Sequence, residues 1–376
     1  MDQQLRFLRE MRRALHRIPE PGLEEVKTHG LLMDELAKLP LTRVETLAGT
    51  GIRALLMVPG AERTIAFRAD MDALAVRERT GHDFPSQHPG FMHACGHDGH
   101  MAALLGFARW CCAHREALRV NAVFLFQPAE ESVGGAQRMI AAGALKDPDV
   151  DEIYGFHILP DLPRGRIGLA AGPVMAQTVE MNLVIEGKSA HGAMPHRGVD
   201  AVVAAAQLVN ELQTVVTRYV DPYQPALITV GRLEAGTRRN VLADRAVLEC
   251  VVRTFSDPVF QGMKRRILAM LQGLESAYGV AARWEDFALY PVVDNHPVTT
   301  ERLRAAAGAE RCDPVAPMMI AEDFSFYQRE VPGTFFFLGS REPGREAPLH
   351  ADTFDFDEEI LLTPLAVYGN LVTGGM

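Results

Sequence analysis

Residues 120–131 read VNAVFLFQPAEE, an apolar run from Val120 to Phe126 that closes on Gln127, Pro128 and the adjacent carboxylates Glu130 and Glu131. A short apolar run bounded by a proline predicts a strand buried on both faces, and such strands belong to parallel sheets covered by helices. Three further apolar runs end in the same way. Thr64 to Phe67 leads into Arg68, Asp70 and Asp72, Glu152 to Phe156 delivers His157, and Thr334 to Gly339 precedes the loop that holds His350. In an open parallel sheet the carboxyl ends of the strands face one crevice, which is where ligands bind in such folds. The polar residues at these four ends are therefore expected to converge.

The rest of the chain supplies the covering layers. Gln3 to Leu39 has helical spacing broken at Pro19, Pro21 and Gly22. Met101 to Ala113, Gly134 to Ala144 and Glu358 to Val372 are also helical in period. Gly51 to Val58 and Thr64 to Phe67, separated by Pro59 and Gly60, read as a hairpin or an adjacent pair of strands. Between Thr178 and Tyr290 the rhythm changes to strand, long helix, strand, strand, helix, strand, with Asp200 at the start of the long helix. That βαββαβ order predicts a ferredoxin-like unit, a four-stranded antiparallel sheet with both helices on one face. The expected fold class is α/β. One domain with a mostly parallel sheet flanked by helices is formed by residues 1–176 and 290–376, with Met318 to Ser325 in its second half, and a ferredoxin-like domain is inserted at 177–289.

Size and composition agree. At about 150 residues per domain, 376 residues fit two or so. The content of 48% hydrophobic and 23% charged residues is that of a globular protein and excludes disordered, collagen-like and coiled-coil architectures. Lys plus Arg, 38, against Asp plus Glu, 48, leaves −10, which argues against nucleic acid or anionic membrane as a partner. A small molecule is the expected partner. No run of about 18 apolar residues occurs, and the opening MDQQLRFLREMRRALHR is charged throughout, so a cytoplasmic location is expected. The five cysteines are an odd number without a small-domain framework, as reduced thiols would be.

Residues 92–100, MHACGHDGH, place His93, Cys95, His97, Asp98 and His100 within a few positions. Cys95-x-His97 brings a thiolate and an imidazole close enough to bind a metal, and Asp98 is placed to orient an imidazole. The alternative is that some of these histidines cap the helix beginning near Met101 or fill polar gaps. Cys95 as a nucleophile paired with His97 is a second alternative, although the surrounding ligand-type residues suit a metal better. Two adjacent buried carboxylates repel unless a cation stands nearby, so Glu130 and Glu131 also point to a cationic site. One of them can bind metal while the other accepts a proton from water. A solvated helix start would account for them equally, since acidic residues favour helix N-termini. In SAHGAMPHRGVDA, residues 189–201, His191 sits in a loop able to reach across a cleft, or else is simply solvated. Asn240 and Arg253 stand similarly, the arginine being able to hold a substrate carboxylate through two hydrogen bonds. Phosphate-binding and dinucleotide-binding glycine motifs, H-E-x-x-H and G-x-S-x-G are all missing from the chain.

Together these segments resemble the aminoacylase/carboxypeptidase family of dinuclear metallohydrolases, in the branch of hippurate hydrolase, indole-acetyl-amino-acid hydrolase and N-acetyldiaminopimelate deacetylase. The likeness spans nearly the whole chain: LHRIPEPGLEE, FRADMDAL, MHACGHDGH, FQPAEE, GFHILPDLPRGRIGL, SAHGAMPHRGVDA, Gly236 to Asn240, RTF, EDFSFY and LHADTF. Many family members carry an aspartate as the bridging ligand where this chain has Cys95, which marks the branch.

The resemblance implies Cys95 as a bridging thiolate, with His97, Glu131, His157 and His350 as the other ligands of two divalent ions: zinc, manganese, cobalt or nickel. It implies Glu130 as general base, Asp72 as the carboxylate that orients a ligand, and the inserted domain as a lid and dimerisation module of a homodimer. His191 would stabilise the oxyanion, from the same or a partner subunit, and Asn240 and Arg253 would contact the substrate's carboxylate end. The implied activity is amide hydrolysis of N-acyl-L-amino acids. Within the branch, Ile-Pro-Glu-Pro-Gly near the start and His-Ile-x-Pro at His157 resemble the N-acetyldiaminopimelate deacetylases most. Hippurate hydrolase or a broad aminoacylase is the enzymatic alternative, and a metal-dependent binding protein without catalysis is the other.

Overall fold

The structure, a computed structural model, describes residues 2–132 and 134–374. Helices α1 (Asp2–His16) and α2 (Val26–Leu36) precede strands β1 (Arg43–Leu47), β2 (Gly51–Leu56) and β3 (Thr64–Asp70), the core helix α3 (His97–Ala113) and β4 (Asn121–Gln127). There follow α4 (Gly135–Ala141), β5 (Glu152–Pro163), β6 (Ile167–Gly168), β7 (Gly172–Met175), β8 (Gln177–Glu186), α5 (Ala201–Tyr219), β9 (Ala226–Ala235) and β10 (Arg245–Thr254). The chain ends through α6 (Asp257–Tyr278), β11 (Ala281–Tyr290), β12 (Val293–Asn295), α7 (Pro297–Ala307), β13 (Cys312–Asp313), α8 (Ser325–Glu330), β14 (Gly333–Arg341) and α9 (Leu362–Thr373).

Two compact units result. The first comprises Met1–Val174, Asp294–Ala316 and Asp323–Met376, and the second Met175–Val293 with Pro317–Glu322. Pro317–Glu322 thus packs with the second unit, although the sequence reading assigned Met318 to Ser325 to the first. The reason is local: Ala176 N–H donates to Met318 O (3.1 Å) and to Ile320 O (2.9 Å).

The first unit is built on an eight-stranded sheet of order β1-β2-β4-β3-β5-β14-β6-β13. Its four central strands β4, β3, β5 and β14 are mutually parallel. β3 and β4 are buried at every residue, which explains their apolar, non-alternating sequences. β2 and β3 are not neighbours, contrary to the hairpin reading; each pairs with β4, β2 antiparallel and β3 parallel. Asn121, the first residue of β4, accepts from Val58 N–H (2.9 Å) and donates to Thr64 Oγ1 (3.3 Å). It ties to β4 both ends of the link that a hairpin would have closed.

The second unit has sheet order β11-β8-β10-β9, antiparallel at every pairing, as βαββαβ requires. Val179, Met181, Leu183 and Ile185 of β8 and Ala246, Leu248, Cys250 and Val252 of β10 join buried residues of α5 and α6 in one core, so both helices cover the same face. Asp200 caps α5 through Val202 N–H and Val203 N–H.

Gly135, which opens α4 just beyond the adjacent glutamates, leaves no room for a side chain. A Cβ there would lie 1.7 Å from Pro128 O, a backbone atom that cannot swing aside. Gly135→Ala is expected to cost about 1–3 kcal/mol through overpacking. Thermal unfolding would register this as a lowered Tm; an unchanged Tm would contradict it.

Candidate metal centre

All five predicted ligands belong to the first unit, and His157 lies inside β5, which runs on to Pro163 instead of ending at Phe156. Cys95 and His97 flank Gly96, which holds φ +84° and turns the chain into α3. A residue with a side chain rarely adopts that conformation, so glycine between the two ligands lets both face inward. His157 lies on β5 and His350 in the loop after β14. His350 itself has φ +66°, a strain of order 1 kcal/mol for a non-glycine residue, with its N–H donating to Ala94 O (2.8 Å) beside Cys95. Glu130 and Glu131 follow β4 after Ala129, also at positive φ (57°), whose N–H donates to the buried carboxylate of Glu25 (2.9 Å).

These side chains meet. Cys95 Sγ lies 3.3 Å from His157 Nε2 and 3.2 Å from His350 Nε2, and His350 Nε2 lies 3.1 Å from Glu131 Oε1. Donor atoms within 4.8 Å of one another form two sets that share Cys95: Cys95, His97 and His157, and Cys95, Glu131 and His350. A third set joins His97 with Glu130 and Glu131. Sulfur and nitrogen ligands bound tetrahedrally to one zinc ion would be about 3.5 Å apart, close to both Cys95–histidine distances.

The ring orientations leave donor nitrogens available. His97 Nδ1 donates to Asp72 O (2.9 Å), while its buried Nε2 has no hydrogen-bond partner among the described residues. His157 Nδ1 donates to Ile158 O (2.7 Å), which turns Nε2 towards Cys95. An orphaned buried imidazole nitrogen in a sulfur, nitrogen and carboxylate donor set fits a divalent cation.

Charge tells the same story. Burial, together with the carboxylates of Glu131 and Glu130, pushes the Cys95 thiol well above its ordinary pKa. Burial alone would lower His97, but Asp70, Asp72 and Glu131 outweigh it and lift it to about 10. The surrounding carboxylates thus favour positive charge at this place, held by a proton on His97 when no cation is bound.

Asp72 acts on more than one neighbour. Its backbone carbonyl orients His97, and its carboxylate accepts from Glu130 N–H (3.0 Å) and Glu131 N–H (2.9 Å). Asp98 departs from expectation: its carboxylate meets His16 Nδ1 (2.7 Å) and Arg12 Nε (3.3 Å) instead of a ligand imidazole. Successive helix residues project in different directions, so Asp98 cannot face the ring of His97, its predecessor on α3. His100 is a core residue held by Asp70. Arg68 and Gln127, named at the strand ends, converge on Asp323, and neither Asp323 nor Glu25 is an expected site residue, although LHRIPEPGLEE ends on Glu25 and EDFSFY contains Asp323.

His191, Asn240 and Arg253 belong to the second unit. His191 is exposed, and its Nδ1 accepts from Ala193 N–H (3.1 Å), which puts the ring proton of the neutral imidazole on Nε2. Gly192 N–H donates to Asn240 O (2.8 Å), so those two loops adjoin. Arg253 points away from the helix-covered face of β10 and donates to Met319 O (2.6 Å).

Residues 66–373 match the sequence profile of Peptidase family M20/M25/M40. The chain belongs to this family. It is 40% identical over 333 residues to an N-acetyldiaminopimelate deacetylase of Priestia megaterium, covering 88% of each chain. It is 39% identical over 365 residues to an N-acetyldiaminopimelate deacetylase of Lacticaseibacillus casei, covering 94% of this chain and 93% of that one. A solved Bacillus subtilis structure, described as a dinuclear metal-binding peptidase of the M20 family, superposes with a TM-score of 0.87 at 32% identity, over 99% of this chain and 98% of that one. This member of the M20 family is accordingly a hydrolase whose ligand sets suit two divalent metal ions. Among the described residues, no helix is long and apolar enough to cross a membrane.

Proposed function

We propose that this M20-family hydrolase is an amidohydrolase that splits N-acyl-L-amino acids into a carboxylate and a free amino acid, with N-acetyldiaminopimelate as its substrate. The observation that carries the reading is Glu130, a buried carboxylate whose backbone is held by Asp72 beside two ligand sets sharing Cys95. The relatives named N-acetyldiaminopimelate deacetylase, at about 40% identity over most of the chain, support the substrate.

Cys95, His97 and His157 would hold one ion and Cys95, Glu131 and His350 the other, whether zinc, manganese, cobalt or nickel. Such ions polarise an amide carbonyl and acidify water. Glu130 takes a proton from the attacking water and returns it to the departing amine. His191, carrying its proton on Nε2, donates to the oxyanion, from its own or a partner subunit. Asn240 and Arg253 receive the carboxylate end of the amino acid. The second unit serves as lid and dimerisation module of a homodimer. A cytoplasmic location accords with five cysteines that are all free thiols.

The test is a comparison of kcat/KM for N-acetyldiaminopimelate, N-acetyl-leucine and hippurate with metal-loaded enzyme. Recognition of the distal ammonium and carboxylate is expected to favour the first substrate by several orders of magnitude, because a site built for charged groups rejects ligands that leave them unpaired. Comparable values would leave a broad aminoacylase. Inactivity on every N-acyl amino acid would leave a metal-dependent binding protein.

A further inference from the structure

β3 and β5 run in parallel register from Ile65 opposite Glu152 to Arg68 opposite Gly155. Asp70 and His157 lie just beyond that register, where a side chain takes over the bridging. Ile158 N–H donates to His100 Nε2 (3.1 Å), and His100 Nδ1 lies 2.7 Å from Asp70 Oδ1. Since Nε2 accepts, the ring is neutral with its proton on Nδ1, donated to Asp70.

The carbonyl of the same Ile158 accepts from His157 Nδ1 (2.7 Å). Both polar backbone groups of Ile158 are thus committed, one to His100 and one to the ring of His157. The far end is equally fixed: Asp70 Oδ2 accepts from Arg68 Nη1 (2.7 Å), and Arg68 Nη2 donates to Asp323 Oδ1 (2.8 Å). Arg68, Asp70, His100 and Asp323 are all essentially inaccessible to solvent.

We propose that Asp70 and His100 are a positioning pair for His157, setting through the Ile158 backbone which ring nitrogen faces Cys95 and so the affinity of one of the two ions. The inference rests on the reading of His157 as a metal ligand. Asp70, His97 and His100 also offer donor atoms close enough for an ion of their own. That use is closed, because both nitrogens of His100 are already engaged. Mere core filling would not need a histidine; it would tolerate an apolar side chain of similar size.

The test measures both ion affinities of the full chain by chelator competition with cobalt(II), together with the Tm of the metal-free protein. His157→Ala serves as reference and is expected to abolish one binding event. His100→Leu should weaken that same event by about ten- to a hundredfold, the usual effect of removing a group that orients a ligand, and leave the other unchanged. His100→Gln, whose amide can both accept from Ile158 and donate to Asp70, should recover most of the loss. If His100→Leu does not fold, Asp70→Asn takes its place, since its amide opposes Arg68 and should weaken the same single ion. Unchanged affinities, or equal weakening of both ions as a loosened core would give, overturn the proposal when His157→Ala has lost one ion. If His157→Ala keeps both ions at full affinity, the ligand assignment falls first and the positioning role with it.

Discussion

Glu130→Gln is expected to lower kcat by roughly two to four orders of magnitude while both ions and the substrate KM stay close to wild type. The argument starts from the backbone. Asp72 holds the N–H groups of Glu130 and Glu131 with its two carboxylate oxygens, so replacing either side chain leaves the other's position intact. Neighbouring side chains diverge, and the Cys95 set includes Glu131 while omitting Glu130. An amide at position 130 has nearly the shape of the carboxylate but no basicity, so a proton-transfer role is lost and metal binding is spared. Glu131→Gln is expected to do the reverse and lose an ion. Elemental analysis beside steady-state kinetics separates the two. Identical behaviour of the mutants would sink this division of labour.

Much of this site is legible without coordinates because four of its residues come in two dense local clusters, one at the start of α3 and one just after β4. Cys95 and His97 are two residues apart, Glu130 and Glu131 are adjacent, and each apolar run that precedes a ligand announces its own burial. The ferredoxin-like unit is legible for a similar reason, its alternation of strands and helices being complete within Thr178 to Tyr290. What the sequence hides is contact at long range. Nothing in Gly51 to Val58 says that its strand pairs with β4, since its antiparallel partners, Ala122 to Phe126, lie about 70 positions further along the chain. The link from Asp70 to His100 spans 30 positions and that from Arg68 to Asp323 spans 255, and no periodicity records either. Asp98 shows the converse: its place among the clustered histidines suggests that it orients a ligand imidazole, and helix geometry sends its carboxylate to His16 and Arg12.

Cys95→Ala carries the other large expected effect, loss of tight binding of both ions and with it of all measurable hydrolysis. Cys95 is the one residue common to the two sets assigned to the ions, so removing its sulfur leaves each ion with two protein ligands at most from its set. His157→Ala or His350→Ala, by contrast, strips a single set and should cost one ion. The same substitution decides against the competing chemistry. A nucleophilic cysteine activated by His97 would also lose activity on conversion to alanine, yet would leave the other donors to bind as before. Two histidine nitrogens 3.2–3.3 Å from its sulfur favour the ligand role, and burial and two glutamates raise the thiol pKa, the opposite of what activates a nucleophile. A thiol so placed ionises readily only when a cation takes the proton's place. Elemental analysis of dialysed Cys95→Ala should therefore read close to zero ions per chain. Two ions retained with activity abolished would make Cys95 the nucleophile instead, and one ion retained at full affinity would restrict its sulfur to a single ligand set.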